Sequence, residues 1–324
     1  MKRLSLVFNI FLLMDYSRLL SIPKGTAVCY SGFREGQRPG DVYPSYEQVK
    51  EDLTIVQNHW RYIRLYSCDQ HAHTVLEVIR NERLPIQVML GAYLDGEVSN
   101  PHCPWGGEYS DTEIDSHKKK NKKEIETLIA WANVYDDIII ALAVGNESCV
   151  DWSGNMVPVD QMIAYVRQVK ASTDLAVTFC ENYVPWLDKL APLVEELDFI
   201  SIHTYPLWEH KTIEEAIAHT KENYHQVSQK YPDKVVVITE AGWATDANGR
   251  GFPKAHANVF FQKMYYDSLC DWTANNNILT FVFEAFDEPW KGSPDPNEPE
   301  KHWGLFYENR NPKMAIANPP GYKR

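Results

Sequence analysis

The sequence predicts an α/β protein, a (β/α)8 barrel in a single domain. Two observations carry this. Short apolar runs alternate with amphipathic, helically spaced stretches, and eight such units fit into 324 residues. The runs are also apolar on both faces, as strands are when helices cover one side and a packed barrel interior fills the other. A doubly wound open sheet would carry a Gly-rich turn after its first strand. That place reads YSGFREGQRPGD, which has no G-x-G-x-x-G.

In order, GTAVCYSG is the first strand and SYEQVKEDLTIVQNH its helix. RYIRLYSC and HTVLEVIRNER follow, then PIQVMLGAYL, a long polar loop with CPWGGEY, and the helical DSHKKKNKKEIETLIAWANVY. DIIIALAVGNE pairs with PVDQMIAYVRQVKAS, DLAVTFCENY with WLDKLAPLVEEL, and DFISIHTYP with TIEEAIAHTKENYHQVSQKY. KVVVITEAGW, a helix from PKAHANVFF onward, and LTFVFEAFDEP complete the set. KGSPDPNEPEKHWG reads as a long loop after the eighth strand, and the lysine run at 118–123 as a solvated helix face.

Composition limits the function. Hydrophobic residues make up 44%, as expected of a soluble globule. The net charge of −12 argues against nucleic acid or an anionic membrane as the main partner, because phosphate-rich surfaces need Lys and Arg. Ten Trp and 18 Tyr supply flat faces with polar handles, suited to sugar rings or to a core. Residues 1–23, beginning MKRLSLVFNIFLLM, are either a signal or export segment or a leading helix, and are too short for a bilayer-spanning helix. Residues 24–324 are expected to form the catalytic domain. A secreted or periplasmic location follows if the leader is a signal, a cytoplasmic one if it is not. No stable membrane insertion and a monomer are expected. Six cysteines show no metal spacing, and Cys103 and Cys149 pair only if their loops are neighbours.

In such a barrel the active site lies at the C-terminal ends of the strands. Polar and aromatic residues collect there: Tyr30, Arg64, Tyr66, Asn146-Glu147, His203, Tyr205, Glu240, Trp243, Glu284 and Glu288. Alternation along FISIHTYP turns Ser201, His203 and Tyr205 inward, and along YIRLYSC it turns Arg64 and Tyr66 inward. A buried Arg64 then needs carboxylate partners. Glu147 and Glu240 close long apolar runs and converge across the mouth. Two facing carboxylates, one protonated and one ionised, are the apparatus of glycoside hydrolysis. His203 has no second histidine at ligand spacing, so neither a metal nor another cofactor is expected.

VGNE, TEAGW and FEAFDEPWK, set in a chain that matches from KGTAVCYSGF to HWGLFYENRNPK, resemble glycoside hydrolase family 17. This is the β-1,3-glucanase family in the clan of retaining (β/α)8 glycosidases, and the likeness is to bacterial-like members, since Ala241 stands where plant sequences have serine. The resemblance implies Glu240 as nucleophile, Glu147 as general acid/base, and Asn146 on the sugar 2-hydroxyl. It further implies that Tyr205 orients Glu240 and that Glu284, Glu288 and Lys291 form a sugar-binding network. Trp243, Tyr30, Tyr66, Trp290 and Trp303 are then stacking platforms or core residues. The implied substrate is a β-glucan polysaccharide or oligosaccharide of laminarin type, cleaved endo-wise by double displacement. The carboxyl groups should lie about 5–5.5 Å apart. A transglycosylase would use the same residues. A non-catalytic glucan-binding barrel would have lost a carboxylate, and both are present.

Overall fold

The structure, a computed structural model, describes residues 25–317. The segment 1–23 lies outside the described residues. Eight parallel strands close into a barrel in chain order, each paired with its neighbours and the last with the first. They are β1 (Gly25–Cys29), β2 (Tyr62–Leu65), β3 (Gln87–Ala92), β4 (Ile139–Asn146), β5 (Ala176–Asn182), β6 (Ile200–Thr204), β7 (Val236–Ala241) and β8 (Leu279–Val282). The β-branched runs in β4, β6 and β7 are almost wholly buried, as strands wrapped by helices must be.

The connecting helices are α1 (Tyr46–Val56), α2 (Gln70–Glu82), α3 (Asp111–Val134), α4 (Val159–Lys170), α7 (Ile213–Lys230) and α8 (Val259–Asn276). Three begin with a capping box: Ser45 with Gln48, Ser110 with Glu113, and Thr212 with Glu215. Each box satisfies amide donors that the first turn leaves bare. Between β5 and β6 the predicted single helix is instead two separate turns, α5 (Tyr183–Trp186) and α6 (Ala191–Val194). Pro192 accounts for the break: proline is tolerated only in the first turn of a helix, so it stands at the start of α6 rather than inside one long helix. No described helix is long and apolar enough to cross a membrane.

The ladder loses its even register at the C-terminal ends of β4, β6 and β7. Such irregularities re-aim side chains. In β4 the shift falls between Ala143 and Asn146, where Gly145 has φ +92° and Glu147 has φ +47°. Gly145 fits that left-handed turn at no steric cost. β8 stops at Val282, earlier than the run LTFVFEAFDEP suggests, and the acidic residues beyond it stand on a long loop. That loop returns over the mouth, where Phe286 bridges Phe306. Cys103 and Cys149 are both free thiols, so no disulfide links their loops.

Candidate active site

Glu240 leaves β7 toward the barrel axis and is 5% exposed. Glu147 stands just past the end of β4, its side chain 22% exposed. One carboxylate oxygen of each, together with a ring nitrogen of His203, lie within 4.8 Å of one another.

Glu240 is held from below and from the side. Arg64 on β2 donates Nη1–H to its Oε1 at 2.6 Å, and Tyr205 donates its hydroxyl to Oε2 at 2.5 Å. His203 on β6 sits between the two carboxylates, with Nδ1 at 2.9 Å from Glu147 and Nε2 at 3.5 Å from Glu240. Burial pushes the Glu240 carboxyl up, but the charges of His203 and Arg64 and the hydrogen bonds from Tyr205 and Arg64 outweigh it, so its pKa falls below the ordinary value. Burial opposes the His203 charge in turn. Glu240, the Cys180 thiol and Glu147 overcome this and raise its pKa to about 10. His203 is therefore an imidazolium at neutral pH. The same three side chains could geometrically hold a metal ion, but the two carboxylates already face two cations, Arg64 and His203.

Asn146 lines the cleft, and its Oδ1 accepts from Arg64 Nη2 at 2.5 Å. The amide is thereby oriented, and its NH2 has no acceptor among the described residues. On the loop after β8, Lys291 bridges Glu284 at 2.8 Å and Glu288, and Glu288 also accepts from Ser31 and from Trp290 Nε1. The two acids divide. Burial and the charge of Glu288 push Glu284 well up, whereas Glu288, although burial opposes it, is held down by Lys291.

The cleft over these groups has a volume of about 1720 Å³. Tyr30, Tyr66, Asn146, Glu147, Tyr205, Glu240, Glu288, Trp290 and Lys291 line it. Four expected binders do not. Arg64 and His203 lie beneath the carboxylates and position them, and Glu284 is buried behind Lys291. Trp243 is no sugar-facing wall. It is 1% exposed, donates Nε1–H to the His256 carbonyl at 2.9 Å and packs against Tyr265 of α8. It follows Gly242, where the chain presses so close to Phe283 that a Cβ would lie 2.1 Å from its carbonyl oxygen, and it leaves the strand end on the helix side. Two other aromatics are poor platforms. Tyr30 is 1% exposed with its hydroxyl bound to Asp52, and Trp303 is equally buried. Trp290 remains open to the cleft.

Sequence reasoning missed Glu300, whose carboxyl lines the cleft and is raised to about 7 by burial and by Glu147, Glu298 and Glu240, against the pull of Lys291. Its EPEKHW setting reads as loop, so only the fold brings it here. It also left open Glu181, buried behind Glu147 and raised to about 8 by burial and by that neighbour's charge. Glu181 accepts from the backbone N–H of Cys149 and of Asn182, both at 2.7 Å, and so ties the loop after β4 to β5.

Residues 27–304 match the model of the BtgE/BtgC glycoside hydrolase domain. The chain belongs to this family. Among glycoside hydrolases it is 24% identical over 299 residues to a glucan 1,3-β-glucosidase of Arthroderma benhamiae, covering 87% of this chain and 89% of that one. It is also 24% identical to a probable glucan endo-1,3-β-glucosidase btgC of Aspergillus fumigatus, across 85% of this chain but only 40% of that protein. Among solved structures, an endo-laminarinase from Formosa Hel1_33_131 superposes with a TM-score of 0.76 at 26% identity, covering 90% of this chain and 85% of that one. A glycoside hydrolase family 17 β-1,3-glucanosyltransferase from Rhizomucor miehei shares the fold, with a TM-score of 0.68 at 23% identity over 90% and 96% of the two chains.

Proposed function

We propose that this family member is a family 17 enzyme that cleaves β-1,3-glucan with retention of configuration. Glu240 attacks the anomeric carbon while Glu147 gives a proton to the leaving oxygen. Glu147 then takes a proton from water as the water displaces Glu240. The observation that carries this reading is the pair of facing carboxylates, one oxygen of each lying within 4.8 Å of the other, with Glu240 ion-paired to Arg64 at 2.6 Å. Retaining enzymes need carboxyl groups about 5–5.5 Å apart, whereas inverting ones leave about 6.5–9.5 Å for a water. The linkage and the internal cleavage of a chain both rest on the similarity to an endo-1,3-β-glucosidase and an endo-laminarinase.

The test is a time-resolved proton NMR spectrum of laminarin digestion, run beside β-1,4- and mixed-linkage glucans. The β-anomer should appear first, and on β-1,3-linked substrate foremost. First appearance of the α-anomer would overturn the mechanism, and preference for β-1,4-glucan would overturn the linkage. Oligosaccharides longer than the starting substrate would report transfer to a sugar hydroxyl in the second step.

A further inference from the structure

Two large apolar side chains near the mouth are unused by the chemistry above. Trp105 stands on the loop between β3 and α3 and is 62% exposed; Trp152 stands on the loop between β4 and α4 and is 41% exposed. Both line the catalytic cleft. Their ring centroids are 6.0 Å apart and their planes meet at 57°.

The two loops that carry them are fused. Asn100, 5% exposed, donates from Nδ2 to the carbonyls of Asp151 and Ser153 at 2.7 and 2.8 Å, one on each side of Trp152. Its own backbone N–H reaches the Gly107 carbonyl at 2.6 Å, closing the loop around Trp105. Tyr109 donates its hydroxyl to the Gly154 carbonyl at 3.0 Å, and the N–H of Glu97 reaches the Met156 carbonyl at 2.8 Å. Gly107, at φ +101°, lies against Gly154 so closely that a Cβ there would sit 3.1 Å from the Gly154 Cα. A buried polar clamp thus holds two indoles rigidly in solvent. Exposed apolar surface in a cleft, on a prepaid support, marks a binding surface.

Its place says what binds. Trp152 is on the same loop as Glu147, which protonates the leaving oxygen. The pair therefore lies on the acid/base side of the cleft. We infer that Trp105 and Trp152 form a remote subsite for the leaving-group end of a β-glucan chain, one sugar ring per indole. This rests on the proposed retaining glucan cleavage and adds to it which side of the cleft selects chain length. Tilted indole faces suit a β-1,3-linked chain, whose successive rings turn relative to one another.

The experiment measures kcat/KM for laminaritriose through laminariheptaose in the wild type, Trp105→Ala, Trp152→Ala and the double variant. Phe260→Ala, an exposed aromatic on α8 away from the cleft, is the control. In the wild type kcat/KM rises with chain length. In the double variant the gain from the added units falls by about tenfold or more, the loss usual for truncating a tryptophan that anchors an interface. It appears chiefly as a raised KM, and the share of transfer products at high substrate falls with it. Trp105→Phe and Trp152→Phe recover part of the gain. An unchanged length dependence in the double variant, with the wild type active, overturns the subsite alone. A wild type that does not cleave these oligosaccharides at all overturns the glucanase reading beneath it.

Discussion

Glu240 owes its role to three neighbours rather than to its own position. Burial alone pushes the Glu240 pKa up, because desolvation penalises the charged form, and Arg64, Tyr205 and His203 reverse that direction. Glu240→Ala should lower kcat on laminarin by on the order of 10⁴-fold or more, as loss of a covalent nucleophile does in other hydrolases. Azide separates the two carboxylates. In Glu147→Ala it should intercept the glycosyl-enzyme and give a β-glycosyl azide, whereas in Glu240→Ala it should give the α-product. The reverse assignment of products would exchange the roles. Tyr205→Phe removes the hydroxyl that donates to Glu240 at 2.5 Å. The carboxylate then loses stabilisation, so the acid limb of the kcat/KM profile should move to higher pH. An unmoved limb would show that Tyr205 contributes only packing. The residue types of this constellation were legible: strand alternation turned Arg64, His203 and Tyr205 inward, and an inward Arg64 demanded a carboxylate. Which inward residues touch solvent was not legible. Arg64 and His203 proved to be support, and Trp243 went to the helix side.

The strands were legible because their apolar runs are long and bounded. The ends of the elements were less so. The break between β5 and β6 followed Pro192 rather than the hydrophobic spacing. The acidic residues after β8 stood on a loop, because the strand ends at Val282 and the chain turns back over the mouth. At Gly242 the end of β7 and the start of that loop come into direct backbone contact, and the N–H of Phe283 reaches the Ala241 carbonyl at 2.9 Å. Gly242→Ala should therefore push the two segments apart at a cost of about 1–3 kcal/mol or more. Both the Tm and kcat should fall, since Glu240 is two residues away. A variant that melted and turned over like the wild type would show that the contact is slack.

At the scale of the whole molecule, the site exists only when the barrel closes. Arg64 and Glu240 are 176 positions apart in sequence and meet across the barrel just beneath its mouth. Glu300 and Trp105 join the cleft from loops that no local pattern distinguishes from ordinary surface, which is why the barrel could be read from the sequence and much of its mouth could not. This assembly also ties stability to pH. The folded protein holds the His203 proton up to about pH 10, while an unfolded chain releases it near 6.5. The stabilisation is complete below pH 6.5 and is lost as pH rises toward 10, on the order of a few kcal/mol in all. The Tm of the wild type should fall across that window. His203→Asn should melt lower at pH 6 and show a shallower decline, and an equal decline would assign the slope to other groups.

The cations beneath Glu240 also bear on the lifetime of the intermediate. While Glu240 is a free carboxylate, Arg64 and His203 have their counter-charge. Once it is esterified to sugar that charge is gone, and two positive groups remain with Glu147 alone opposite them. Electrostatics then favour release of the sugar, whoever accepts it. The ester should be short-lived, and the contest between water and a second glucan chain is settled by which of them already occupies the mouth.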